Sequence, residues 1–217
     1  MNFLIFLDFD GVLHAHYGPF SERFYFLSRF EAVIREFPNA EVVVASSWGL
    51  HQDLATLRSY FSTDVQSRVI GISTFTVEQA LTWYGKRHRI AAAQRYIEAN
   101  AFQDRPWVAI DDVADFWRPG APLIHCRTGF QEIEELLLRM VLSGELPAKP
   151  GPITFFDGLV RYWFNGDLKK ADLARRLFAK HYSEEAPLTP EWFDSICATD
   201  SDFVDLLDEI PPRDELP

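Results

Sequence analysis

Phe3-Leu4-Ile5-Phe6-Leu7-Asp8-Phe9-Asp10-Gly11-Val12-Leu13 is the stretch that decides the fold. Its consecutive apolar residues have the pattern of a strand buried on both faces, and the run ends in two carboxylates and a glycine that turns the chain. In an open α/β sheet, chemistry gathers at the carboxyl ends of the strands, which is where these acids fall. Asp8 and Asp10 are two apart and so begin on one face, with the turn at Gly11 free to splay them. Two acids this close repel unless a cation or a shared proton gives them different roles. Taken alone, the pair also reads as a solvated strand end.

Outward from this strand, short apolar runs alternate with helical periodicity as far as residue 145, the sequence form of βα units on a parallel sheet. The pattern predicts helices over 21–37, 50–61, 86–99 and 131–142 and strands over 41–45, 68–73, 107–110 and 123–126, with Ser21 capping the first helix. Pro147 to Pro152 holds three prolines and a glycine and reads as a linker. The expected organisation is an α/β domain over 1–148 and an acidic helical appendage over 149–217, with helices at 155–164, 168–181, 190–198 and 203–210. This is a doubly wound parallel sheet carrying a small C-terminal helical module.

The 217 residues are 47% hydrophobic, enough to bury one substantial core. No stretch approaches the length of a membrane-spanning helix and no signal-peptide pattern opens the chain, so the expectation is a cytoplasmic protein with no membrane partner. The two cysteines, Cys126 and Cys197, lack metal-site spacing and read as structural thiols. The net charge of −11 argues against general adhesion to polyanions. Fourteen of the acids and only seven of the basic residues lie in 151–217, so the first domain is closer to neutral and can meet a polyanion locally.

Four chemical signals follow in chain order, each at a strand end or helix start. They are Asp8-Phe9-Asp10-Gly11; Ser46, directly after Val42-Val43-Val44-Ala45; Lys86, at the head of a helix whose positive end adds to its charge; and Asp111-Asp112, with Asp115 beyond. Each has a plainer reading. Ser46 caps the next helix, Lys86 with Arg87 and Arg89 forms a solvated face, and Asp111-Asp112 opens a turn. Together they supply a carboxylate nucleophile, an acid/base, a hydroxyl and a cation for phosphoryl oxygens, and further acids for a metal.

That constellation resembles the haloacid dehalogenase (HAD) superfamily of phosphohydrolases over roughly residues 1–145. More closely, Asp8-Phe9-Asp10-Gly11-Val12-Leu13-His14, Ser46-Ser47-Trp48, Val69-Ile70-Gly71-Ile72 and Thr128-Gly129-Phe130 are similar to the HAD domain of Swiss army knife RNA-repair proteins. The chain departs from that group at Gly49, where the resemblance implies a basic residue. The resemblance implies a Rossmann-like HAD fold and hydrolysis of a phosphomonoester through an aspartyl-phosphate on Asp8. Asp10 then serves as acid and base, and Ser46 and Lys86 hold phosphoryl oxygens. Mg²⁺ is shared by Asp8, the Asp10 main-chain carbonyl and Asp111, with Asp112 and Asp115 assisting it or orienting Lys86. Ser47 and Arg87 are the alternatives to Ser46 and Lys86.

The intervals between the motifs are short, which implies a capless, open site suited to a phosphate at the end of a nucleic acid, RNA first. Trp48, His14, His16, Tyr17 and Trp83 are candidates for its mouth, where an aromatic ring stacks on a base; Trp48 and Trp83 also read as core. The other readings are a phosphatase of nucleotides or phosphoproteins, and a non-catalytic scaffold whose tail, 151–217, binds a protein partner.

Overall fold

A computed structural model of the chain describes residues 2–15, 23–74, 88–117, 121–145, 148 and 151–153. The chain divides into two units, Met1–Thr154 and Phe155–Pro217. The four helices expected beyond residue 154 lie outside the described residues, as do His16, Tyr17, Trp83, Lys86 and Arg87.

The first unit is built on a six-stranded sheet of order β3-β2-β1-β4-β5-β6, parallel at every pairing, the Rossmann-like α/β arrangement of the HAD fold. Its strands are β1 Phe3–Leu7, β2 Ala40–Val44, β3 Val69–Ile72, β4 Trp107–Asp111, β5 Pro122–His125 and β6 Gly151–Ile153. The helices among the described residues are α1 Leu27–Glu36, α2 Leu54–Ser59, α3 His88–Ala99 and α4 Glu132–Leu142. The chain adds β2 and β3 on one side of β1 and then crosses to add β4 on the other. The switch point therefore lies between β1 and β4, where open α/β sheets bind their ligands.

Alternation along β1 explains why it sits at the centre. Ile5 and Leu7 join one apolar cluster with Phe30, Val33 and Ile34 of α1, Leu57 of α2 and Leu138 of α4. Leu4 and Phe6 join the other with Ile90, Ala93 and Ile97 of α3 and with Trp107 and Trp117. A strand fully buried on both faces has to be apolar throughout, as this one is until Asp8.

Several expected boundaries move. The first helix begins at Leu27, because residues 23–26 form a turn in which Phe24 takes φ +61°, and the helix cap Phe26 offers no side-chain hydrogen bond. The expected helix over 50–61 resolves into a 3₁₀ turn, Ser47–Leu50, and α2, because the Asp53 side chain accepts from Thr56 N–H at 2.8 Å and starts a new helix there. Part of the proline-rich segment read as a linker is β6, paired with β5, so the sheet unit extends to Thr154. Pro152, which lacks an N–H to donate, fits an edge strand. No helix among the described residues is long and apolar enough to cross a membrane.

Candidate active site

Strand register brings three of the four motifs to one level. Leu7 lies opposite Val44 of β2 and Ile110 of β4. The ladder continues one step further on each side: Ala45 N–H donates to Leu7 O at 2.8 Å, and Asp8 N–H to Ile110 O at 3.0 Å. The next residues along, Ser46 and Asp111, thus flank Asp8. All three are buried at the strand ends.

Carboxylate oxygens of Asp8, Asp111 and Asp112 lie within 4.8 Å of one another. Gly11 makes this possible. It has φ +71°, rarely open to a side chain, and a Cβ there would collide with the Asp112 carboxylate. The loop that follows is tied down by Phe26 N–H donating to Leu13 O (2.9 Å) and Phe130 N–H donating to Val12 O (2.8 Å).

Among the described residues, Arg89 of α3 brings a cation to this cluster, its Nη1 pairing with both Asp8 Oδ2 and Asp111 Oδ2. The reading of Arg89 as part of a solvated face is therefore corrected, since it is buried. The sequence does carry a signal for it. Arg89, Ala93 and Ile97 repeat at four-residue spacing along the buried side of α3, and a charge on such a stripe needs a partner. Lys86 and Arg87 precede it in the chain and lie outside the described residues.

Asp111 is held on every side. Its Oδ1 accepts from Val113 N–H (2.8 Å), and its Oδ2 accepts from the Trp117 indole (2.7 Å) as well as from Arg89. His125 Nε2 lies 2.9 Å from the main-chain oxygen of Asp112. Trp117 and His125 carry no motif that sequence reading could have found. Asp115 is exposed.

Electrostatics follow from burial. Desolvation pushes the Asp8 carboxyl up to about 6, against the lowering effect of Arg89 and with the charge of Asp111 adding to the rise; a hydrogen bond from Ser46 lowers it. Burial raises Asp111 in the same way. For Arg89, burial works against the charge, but the two carboxylates outweigh it and raise its pKa. Burial pushes the Cys126 thiol up, consistent with the structural role expected of it.

The donor set suits a hard cation. Every donor in the group Asp8, Asp111 and Asp112 is a carboxylate oxygen, and two of the three residues are buried. The cluster is thus able to hold a metal ion on Asp8, Asp111 and Asp112. The Asp10 carboxylate stands outside it, with Oδ2 accepting from the Trp48 indole (2.9 Å) and Oδ1 lying 3.1 Å from His14 Nε2. Only the main-chain carbonyl of Asp10 is left for the metal role expected of that residue.

The remaining expectations divide. Ser46 bonds Asp8 and, as the capping reading expects, accepts from Trp48 N–H at 3.5 Å. Ser47 begins the 3₁₀ turn and is partly exposed. His14 is buried and Trp48 half-buried, and both face Asp10 rather than forming an open stacking surface. Gly49 has a physical reason: a Cβ there would lie 2.5 Å from Ile72 Cγ2 and 2.6 Å from Thr74 Cγ2, so a basic side chain does not fit.

No curated protein and no solved structure matches the chain. The model of the HAD domain in Swiss Army Knife RNA repair proteins matches residues 4–133, which span β1 to the start of α4 and contain every group just described, and the chain belongs to this family.

Proposed function

We propose that the chain is a Mg²⁺-dependent phosphomonoester hydrolase working through a covalent phosphoryl group on Asp8, with a phosphorylated nucleic-acid end, RNA first, as its substrate. The observation that carries this reading is the convergence of Asp8, Asp111 and Asp112 at the β1/β4 switch point, with Asp10 beside them on separate donors. In the first step an Asp8 oxygen bonds to phosphorus as the bond from phosphorus to the leaving oxygen breaks. Asp10 gives its carboxyl proton to that oxygen. In the second step Asp10 takes a proton from a water whose oxygen bonds to phosphorus. The bond from phosphorus to Asp8 breaks, inorganic phosphate leaves, and both acids return to their starting states.

A Mg²⁺ ion held by Asp8, Asp111 and Asp112 would supply charge compensation for the phosphoryl oxygens. Arg89 and Ser46 keep the Asp8 carboxylate oriented, and Lys86, two positions before the first residue of α3, is proposed to meet the phosphoryl oxygens. The family description supports the choice of an RNA end over a small metabolite. The test is a phosphate-release panel with Mg²⁺ comparing 3′- and 5′-phosphorylated oligonucleotides, nucleotides and phosphopeptides. Preferential release from an oligonucleotide end is expected. Preference for nucleotides or phosphopeptides overturns the substrate, and no release from any of them overturns the reaction.

A further inference from the structure

Asp10 lies beyond the last residue of β1, where the sheet no longer fixes its side chain, and two ring nitrogens take over that task. The Trp48 indole donates to Oδ2, and His14 Nε2 meets Oδ1. His14 Nδ1 is buried with no hydrogen-bond partner among the described residues, so Nε2 is its working nitrogen.

Both rings are locked. Trp48 packs edge-on against Phe9 at 5.6 Å and against Phe24 and Tyr60 at 5.5 Å, while His14 lies 5.2 Å from Phe24. Phe24 itself holds φ +61°, a conformation rare for a bulky side chain, and it stacks on Tyr60 at 4.9 Å. Strained backbone persists where the surroundings over-determine it, and it collects around functional sites. Packing alone would be served by phenylalanine at position 48. Phenylalanine there would lack the N–H that reaches Asp10.

An indole N–H donates and cannot accept, so it holds Oδ2 in one orientation and leaves Oδ1 turned to His14. We propose that Trp48 and His14 are positioning residues that hold the Asp10 carboxyl in the orientation from which it protonates the leaving oxygen, and thereby set how well the enzyme expels a poor leaving group. This rests on the reaction proposed above, in which Asp10 protonates the leaving oxygen.

The experiment measures kcat/KM of the full chain with Mg²⁺ on two esters. The leaving group of 4-nitrophenyl phosphate departs without protonation, whereas that of a simple alkyl phosphate needs it. Trp48→Phe keeps the ring packing and deletes the N–H. Its expected loss is about 10- to 100-fold on the alkyl ester, part of the ~10²- to 10⁴-fold that general acid–base catalysis supplies, and under about threefold on the nitrophenyl ester. His14→Gln, which keeps a nitrogen donor, retains alkyl-ester turnover that His14→Phe loses, and this pair carries the same comparison if Trp48→Phe does not fold. Equal losses on both esters, or no loss on either, overturn the inference, because general structural damage lowers both alike. A wild-type protein that turns over neither ester overturns the reaction and the inference with it; wild-type turnover with losses independent of the leaving group overturns the inference alone.

Discussion

Arg89 is the residue on which the buried charges depend, because its guanidinium pairs with both Asp8 and Asp111. Removing one partner of a buried ion pair costs about 3–5 kcal/mol, so Arg89→Met should lower metal-free stability by that order in a denaturant titration. Saturating Mg²⁺ should restore part of the loss by replacing the missing charge; an unchanged midpoint would contradict the pairing. Asp8 gives a second expectation. Its pKa rises from 3.8 to about 6 on folding, so the folded metal-free protein holds this proton more tightly than the unfolded chain does. Stability therefore falls as pH rises from about 4 to about 6, and the full penalty persists above that. Asp8→Asn lacks the penalty, and its stability relative to wild type, measured with a chelator, should climb through this window. A difference that stays constant across it would show that Asp8 does not titrate as described.

At the scale of elements, α4 is started by a capping box in which Gln131 N–H donates to Glu134 Oε2 at 2.9 Å and the Gln131 side chain accepts in return. Loss of a cap of this kind costs about 0.5–2 kcal/mol, so Gln131→Ala should lower stability by that amount while leaving Mg²⁺ affinity unchanged. A coupled loss of affinity would mean that the start of α4 shapes the site. Apolar runs such as Phe3–Leu7 and the valines Val42, Val43 and Val44 made the strands legible in the sequence, because burial on both faces leaves little choice of residue. The start of α1 was not legible, since a left-handed Phe24 is decided by the rings it packs among and not by local propensity. The same divide runs through the site. Asp8 and Asp111 were readable because a strand end announces itself in sequence, whereas Arg89 and Trp117 act from elements whose approach only tertiary packing decides.

At the scale of the whole molecule, every described site residue belongs to the unit Met1–Thr154, while most of the acidic excess lies beyond it. A chain ending at Thr154 should keep Mg²⁺ binding and its turnover of 4-nitrophenyl phosphate. Complete loss with the fold intact would show that residues 155–217 supply part of the site.

The central claim is that Asp8 carries the phosphoryl group, and its most direct measurement is phosphate release from 4-nitrophenyl phosphate with Mg²⁺ by wild type and Asp8→Asn, each shown to be folded. The account predicts metal-dependent turnover by wild type and a loss of at least about 10³-fold in Asp8→Asn, in line with removal of a group that acts as one unit with its neighbours. Turnover by Asp8→Asn at the wild-type rate would contradict it.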